Sequence, residues 1–176
     1  MDILARMASA APPDDPTEPR SVAAPTGADL SPAELGAWRG LLRVHAALVR
    51  QLDQELESAH ALPLTSYDVL IYLRDAPGRR LRMAELADSV LLSRSGVTRL
   101  VDRLEREGLI CRDTVCADGR GCFAVLTDEG AALLARARPT HLSGVRKRFL
   151  GHFTEDDLRA LAGYWERVLP GAADAA

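Results

Sequence analysis

No run of about 18 apolar residues occurs in the chain, which excludes a bilayer-spanning helix and any expected membrane partner. The opening MDILARMASAAPPDDPTEPR lacks the basic-then-apolar order of a secretory signal, so a cytoplasmic location is expected. A glycine-rich phosphate loop, a nucleophile elbow and a paired His/Asp arrangement are all missing. Neither an enzyme nor a bound cofactor is therefore expected. An excess of positive charge is absent too. The formal charge is −3, and the first thirty residues, with two arginines against five acids, account for all of it. The chain is not a uniformly basic nucleic-acid binder, and only the placement of charge on a neutral remainder can reveal such a role. Lysine is nearly lacking: 21 of the 22 basic residues are arginine. Cysteine is scarce, and the three thiols of Cys111, Cys116 and Cys122 cannot all pair, so free thiols are expected. His45, His60, His141 and His152 show no tight ligand spacing with them, and no metal is expected.

What is present divides simply. Residues 1–29 are rich in Ala, Pro and Asp with few apolar anchors, and read as a disordered or partly ordered segment. The length of 176 residues suits one domain with a real core, assigned to residues 30–170, with 171–176 as a tail.

The chain is organised around Leu81 to Leu126, which reads as a short helix, a tight turn, a longer helix and a two-stranded ribbon. In the longer helix Val97, Leu100, Val101 and Leu104 fall at helical spacing and form one buried stripe. Ser93 stands at its start as a cap, and Gly108 suits a left-handed end. The shorter helix, Met83 to about Ser89, adds Leu86 and Ala87, and the small Ala87 lets the second helix cross closely. That is helix-turn-helix geometry. Outside the stripe lie Arg94, Ser95, Thr98, Arg99, Asp102, Arg103 and Arg106. Short hydroxyls near the helix start allow close approach, and Arg94 and Arg99 can reach phosphates or the acceptor edge of guanine. The alternative is a solvated face laced with Arg/Asp and Arg/Glu pairs.

The ribbon favours the first reading. Leu109 and Ile110 begin a strand, Phe123, Val125 and Leu126 return, and Ala117-Asp118-Gly119-Arg120-Gly121 lies between. A hairpin directly after such a helix is a wing. Its tip residue Arg120 can enter an adjacent minor groove, and Asp118 can brace the loop through backbone amides.

LRMAELAD, then LLSRSGVTRLVDRLEREGLI, then the Asp118-x-Arg120 tip, then AVLTDEG together resemble the MarR-type winged-helix transcriptional regulators. The resemblance covers about Leu30 to Leu169. It implies a mainly α fold with a small β-wing, in which residues 63–127 form the winged helix-turn-helix lobe and 30–62 and 128–170 supply dimerisation helices. It also implies a sequence-specific regulator, a homodimeric repressor on a pseudo-palindromic operator of double-stranded DNA. In this family small aromatic or phenolic effectors often release the DNA. The sites expected to touch DNA are Ser93, Arg94, Ser95, Thr98, Arg99, Arg103, Asp118 and Arg120.

The flanking helices carry their own signals. Ser31-Pro32-Ala33-Glu34 opens a helix lasting to about His60, whose inner face is marked by Trp38, Leu41, Leu42, His45, Leu48, Val49, Leu52 and Leu56. Thr127-Asp128-Glu129-Gly130 opens another, which Pro139 is expected to bend or interrupt near Thr140. Leu142, Val145, Phe149 and Leu150 continue its apolar pattern. Thr154-Glu155-Asp156-Asp157 caps a last helix with Leu158, Leu161, Tyr164, Trp165, Val168 and Leu169 facing inward until Pro170. These positions are either intrachain core or a surface shared with a second copy. The shared reading is preferred, because it sets two longer helices about 34–36 Å apart, one DNA turn.

Between these parts, Thr65 or Ser66 is expected to cap a helix in which Val69, Leu70 and Leu73 pack inward. Trp38, His45, Tyr67 and Tyr72 are candidates for an effector cleft, with Arg43 or Arg74 to hold an anionic group; the alternative for each aromatic is ordinary packing. Two further readings stay open. Cys116 and Cys122 flank the wing turn and can serve a redox switch, and the winged helix can serve as a protein-interaction module.

Overall fold

The computed structural model describes residues 29–90, 94–113 and 123–171. Internal contacts divide the chain into Met1–Arg39 and Gly40–Ala176. In the first, the Ser31 amide donates to the Glu34 carboxylate at 2.7 Å and the Glu34 amide to Ser31 Oγ at 3.3 Å, the reciprocal cap the sequence predicts. This opens α1, Pro32–His60. Trp38 is 54% exposed.

The second unit holds the core. A turn at Leu62-Pro63 leads from α1 to α2, Leu64–Asp75. Neither Thr65 nor Ser66 caps α2, contrary to expectation. The first amide, of Leu64, instead donates to Asp53 Oδ1 on α1 at 2.8 Å, while Ser66 is buried. Val69, Leu70 and Leu73 are fully buried as expected. Then come β1, Arg80–Arg82, α3, Met83–Ser89, and α4, Arg94–Arg106. Val97, Leu100, Val101 and Leu104 of α4 are buried with Leu86 of α3 and the three α2 residues. Gly108, at φ 73°, turns the chain out of α4, and the Leu109 amide closes on the Leu104 carbonyl at 2.9 Å.

The strands β2, Ile110–Asp113, and β3, Phe123–Leu126, form the predicted ribbon, but the sheet has three strands in the order β1-β3-β2, all antiparallel. Arg82 pairs with Phe123, and Asp113 pairs with Phe123 from the other side. The sequence reading missed β1 because its three residues are too few to establish alternation.

Thr127 starts α5, Asp128–Arg148, by accepting from the Gly130 amide at 3.0 Å, while its hydroxyl donates to the Gly108 carbonyl at 2.8 Å. The start of α5 is thereby stitched to the end of α4. Gly130 is buried against the Leu109 carbonyl, where an added Cβ would lie 2.1 Å away. Pro139 does not interrupt α5, which runs on for two more turns. The missing amide costs one intrahelical bond, and side-chain ties to α1 span the same region: Thr140 to His60 at 2.8 Å, and Arg148 to Glu55 and Gln51. Thr154 caps α6, Glu155–Val168, with Asp157 in reciprocal bonds.

The outer helices contribute only part of their apolar residues to the core among the described residues. Leu41, Leu42, Val44 and Val49 of α1 and Tyr164, Trp165 and Val168 of α6 remain exposed, Val168 by 79%. Of the predicted inner face of α1, Leu56 is fully buried and Leu52 packs against the core.

Candidate nucleic-acid interface

A helix with one buried stripe leaves its remaining side chains to solvent or to neighbours. On α4, Ser95, Thr98, Arg99 and Arg106 are exposed, whereas Asp102, Arg103 and Glu105 are half-buried. Thr98, Arg99 and Asp102 lie within one turn of each other and share a face. The Arg99 guanidinium curls back to the Ser95 carbonyl at 3.3 Å, which costs little to release at a surface. Arg94 opens the helix; its side chain, Ser93, and the loop with Cys116, Asp118, Arg120 and Cys122 lie outside the described residues.

Arg103, expected to touch DNA, also has partners within the chain. Its guanidinium donates to the buried Ser66 hydroxyl at 2.5 Å and stands 3.9 Å from Glu107. It ties α4 to α2, and its side chain stays 39% exposed. The stripe pattern could not reveal this, since the partner lies 37 residues away.

The sequence reading also missed Arg112. Strand alternation places it on the same face as buried Ile110, and a guanidinium on a core-facing position demands carboxylate partners. It has two. Its amide donates to Glu105 Oε1 at 3.1 Å, Nη1 to Glu105 Oε2 at 2.5 Å, and Nη2 to Asp102 Oδ1. The Asp102 bond is the main cause that raises the Arg112 pKa above its ordinary value. On the opposite face of the sheet Arg80 and Arg82 lie over the Phe123 ring at 4.8 and 5.0 Å.

A cleft of about 380 Å³ lies between α1, α2 and the end of α3, lined among others by His45, Val49, Asp53, Asp68, Tyr72 and Val90. Two of the five expected effector residues, His45 and Tyr72, line it. Tyr67 does not: it is core, 3% exposed and stacked on His141 at 4.5 Å between ring centroids. Arg43 is exposed and Arg74 pairs with Asp75 at 2.7 Å; neither lines the cleft, nor does Trp38. Asp68, not anticipated, does line it, and burial pushes its carboxyl up to about 6. Among the described residues Cys111 is an exposed free thiol on β2, and no three His, Cys, Asp or Glu side chains converge to hold a metal.

Comparison with known proteins agrees with this geometry. Residues 61–121 match the MarR family. The chain is 33% identical over 134 residues to the HTH-type transcriptional regulator PecS of Dickeya dadantii, covering 73% of this chain and 79% of that protein. Among solved structures it is similar to AbsC, a MarR family transcriptional regulator from Streptomyces coelicolor, at 32% identity and a TM-score of 0.74, covering 79% and 93% of the two chains. It is also similar to Sco3205, a MarR family transcriptional regulator from the same organism solved in complex with DNA, at 33% identity and a TM-score of 0.75, covering 84% and 95%.

Proposed function

The chain belongs to the MarR family of transcriptional regulators, and from that premise we propose that it is a homodimeric repressor gripping a pseudo-palindromic operator through α4 and the loop between β2 and β3. It is a DNA-binding regulator, not an enzyme. The observation that carries the finer reading is the exposed face of α4, where Thr98 and Arg99 stand opposite the buried stripe. A short hydroxyl and a long guanidinium on one face suit base-edge contact with flanking phosphates. The relative Sco3205 was solved in complex with DNA, which supports carrying that mode over. Surplus apolar surface on α1 and α6 supports the homodimer.

The cleft is the effector site in this proposal. Its lining offers carboxylates at Asp53 and Asp68 and, among the described residues, no arginine, which favours a neutral phenol over an aromatic acid. A ligand there acts by favouring one spacing of the helices over another.

The test is binding to the DNA upstream of the protein's own gene, titrated across a salt series. Counterion release predicts a steep fall in affinity with salt, with two chains per site. Arg120→Ala is expected to weaken binding evenly across sequences, and Arg99→Ala to change which bases are preferred. Unchanged binding by both variants sinks the docking scheme. Weak binding, equal on every duplex, favours a protein-binding winged helix instead.

A further inference from the structure

We propose that Arg112 is a positioning residue for DNA binding: it clamps the base of β2 to α4 and keeps the Asp102 carboxylate from facing the duplex. The inference rests on the docking of α4 proposed above.

Asp102 lies three residues beyond Arg99 and four beyond Thr98, so it shares the face assigned to DNA. An uncompensated carboxylate there would meet the phosphate backbone and repel it. Nη2 of Arg112 bonds Asp102, while Nη1 and the backbone amide take the two oxygens of Glu105. One side chain therefore engages carboxylates a single helical turn apart and fixes the strand to the helix along that turn. The Arg112 side chain is 25% exposed, whereas those of Asp102 and Glu105 are 47% and 36% exposed, so the cation is the sheltered member. It is drawn inward to its acids and is not itself aimed at DNA.

This separates Arg112 from a generic surface cation. Loss of a distant positive charge weakens DNA binding through net charge alone. Loss of Arg112 does so by exposing one particular carboxylate and freeing one particular strand. The stitch from Thr127 to Gly108 and the Leu109 closure on Leu104 do not involve Arg112, so the fold is expected to survive its replacement.

The probe is a fluorescent duplex selected by the wild-type protein from a random-sequence pool, titrated by anisotropy, with thermal midpoints measured alongside. Arg112→Gln is expected to lose at least tenfold in affinity with a midpoint close to wild type. Adding Asp102→Asn to Arg112→Gln is expected to regain most of that loss. Adding Asp156→Asn, on the first turn of α6, restores the same net charge and is expected to regain none. Arg112→Lys keeps the charge but reaches one carboxylate, and is expected to lose severalfold, also rescued by Asp102→Asn; it carries the test if Arg112→Gln does not fold. Wild-type affinity in a folded Arg112→Gln protein overturns the inference, as does a double variant with Asp102→Asn that binds no better than the single. A wild-type protein that selects no duplex overturns the docking scheme itself, an outcome distinct from either.

Discussion

Asp68 stands in the cleft between α1, α2 and α3 with its carboxyl raised from an ordinary 3.8 to about 6 by burial. The folded state therefore holds that proton more tightly than the unfolded chain does. Its contribution to stability is full below pH 3.8, declines as pH rises toward 6, and stays lost above, where a desolvated carboxylate is ionised. Asp68→Asn keeps the shape without the charge. It is expected to raise the thermal midpoint at pH 8, with the advantage shrinking as pH falls through 6 toward 4. An equal midpoint at pH 8 would refute the buried-carboxylate account. Little of this residue-level detail was legible in the sequence. Tyr67 and Tyr72 look alike as text, yet one stacks on His141 in the core and the other lines the cleft. Ser66 reads as a cap and is instead the partner of Arg103. In each case the deciding neighbour is distant in the chain, and local pattern carries no information about it.

At the scale of the element, the sequence was a better guide where the signal is local. The α4 stripe, the Gly108 turn and the caps at Ser31, Thr127 and Thr154 are set within four residues, and the structure has all of them. The interruption of α5 expected as one outcome at Pro139 does not occur, since a helix can sacrifice one backbone bond when tertiary ties hold both sides. The cap of α2 was misjudged because Asp53 comes from α1. Among the described glycines the closest approach to a neighbouring element is at Gly130, whose Cα faces the Leu109 carbonyl. Because the obstacle at 2.1 Å is backbone, either α5 or the α4–β2 turn must move to admit a methyl group. Gly130→Ala is expected to cost at least about 2 kcal/mol, read as a lower midpoint in denaturant at unchanged slope. A neutral result would mean that the joint is looser than the packing shows.

At the scale of the whole molecule, α1 and α6 present leucine, valine, tyrosine and tryptophan that stay exposed among the described residues. The surplus was legible in the sequence as more apolar surface than a small winged helix can bury; what covers it was not. If the cover is a second copy, Val168→Asp leaves the single chain folded and breaks the pair. The expected result is a sedimenting species of half the mass. Its operator affinity should be lower by roughly 100-fold or more, because the second half-site is no longer bound in the same event. Wild-type mass and affinity in that variant would move the interface elsewhere. The sheet has a bearing on which contacts two copies can make. Its outer strands β1 and β2 span three and four residues, and β1 carries Arg80 and Arg82 beside Leu81. Short, charged margins make poor templates for adding a foreign strand. The described strands therefore offer a poor template for β-ladder polymerisation between copies.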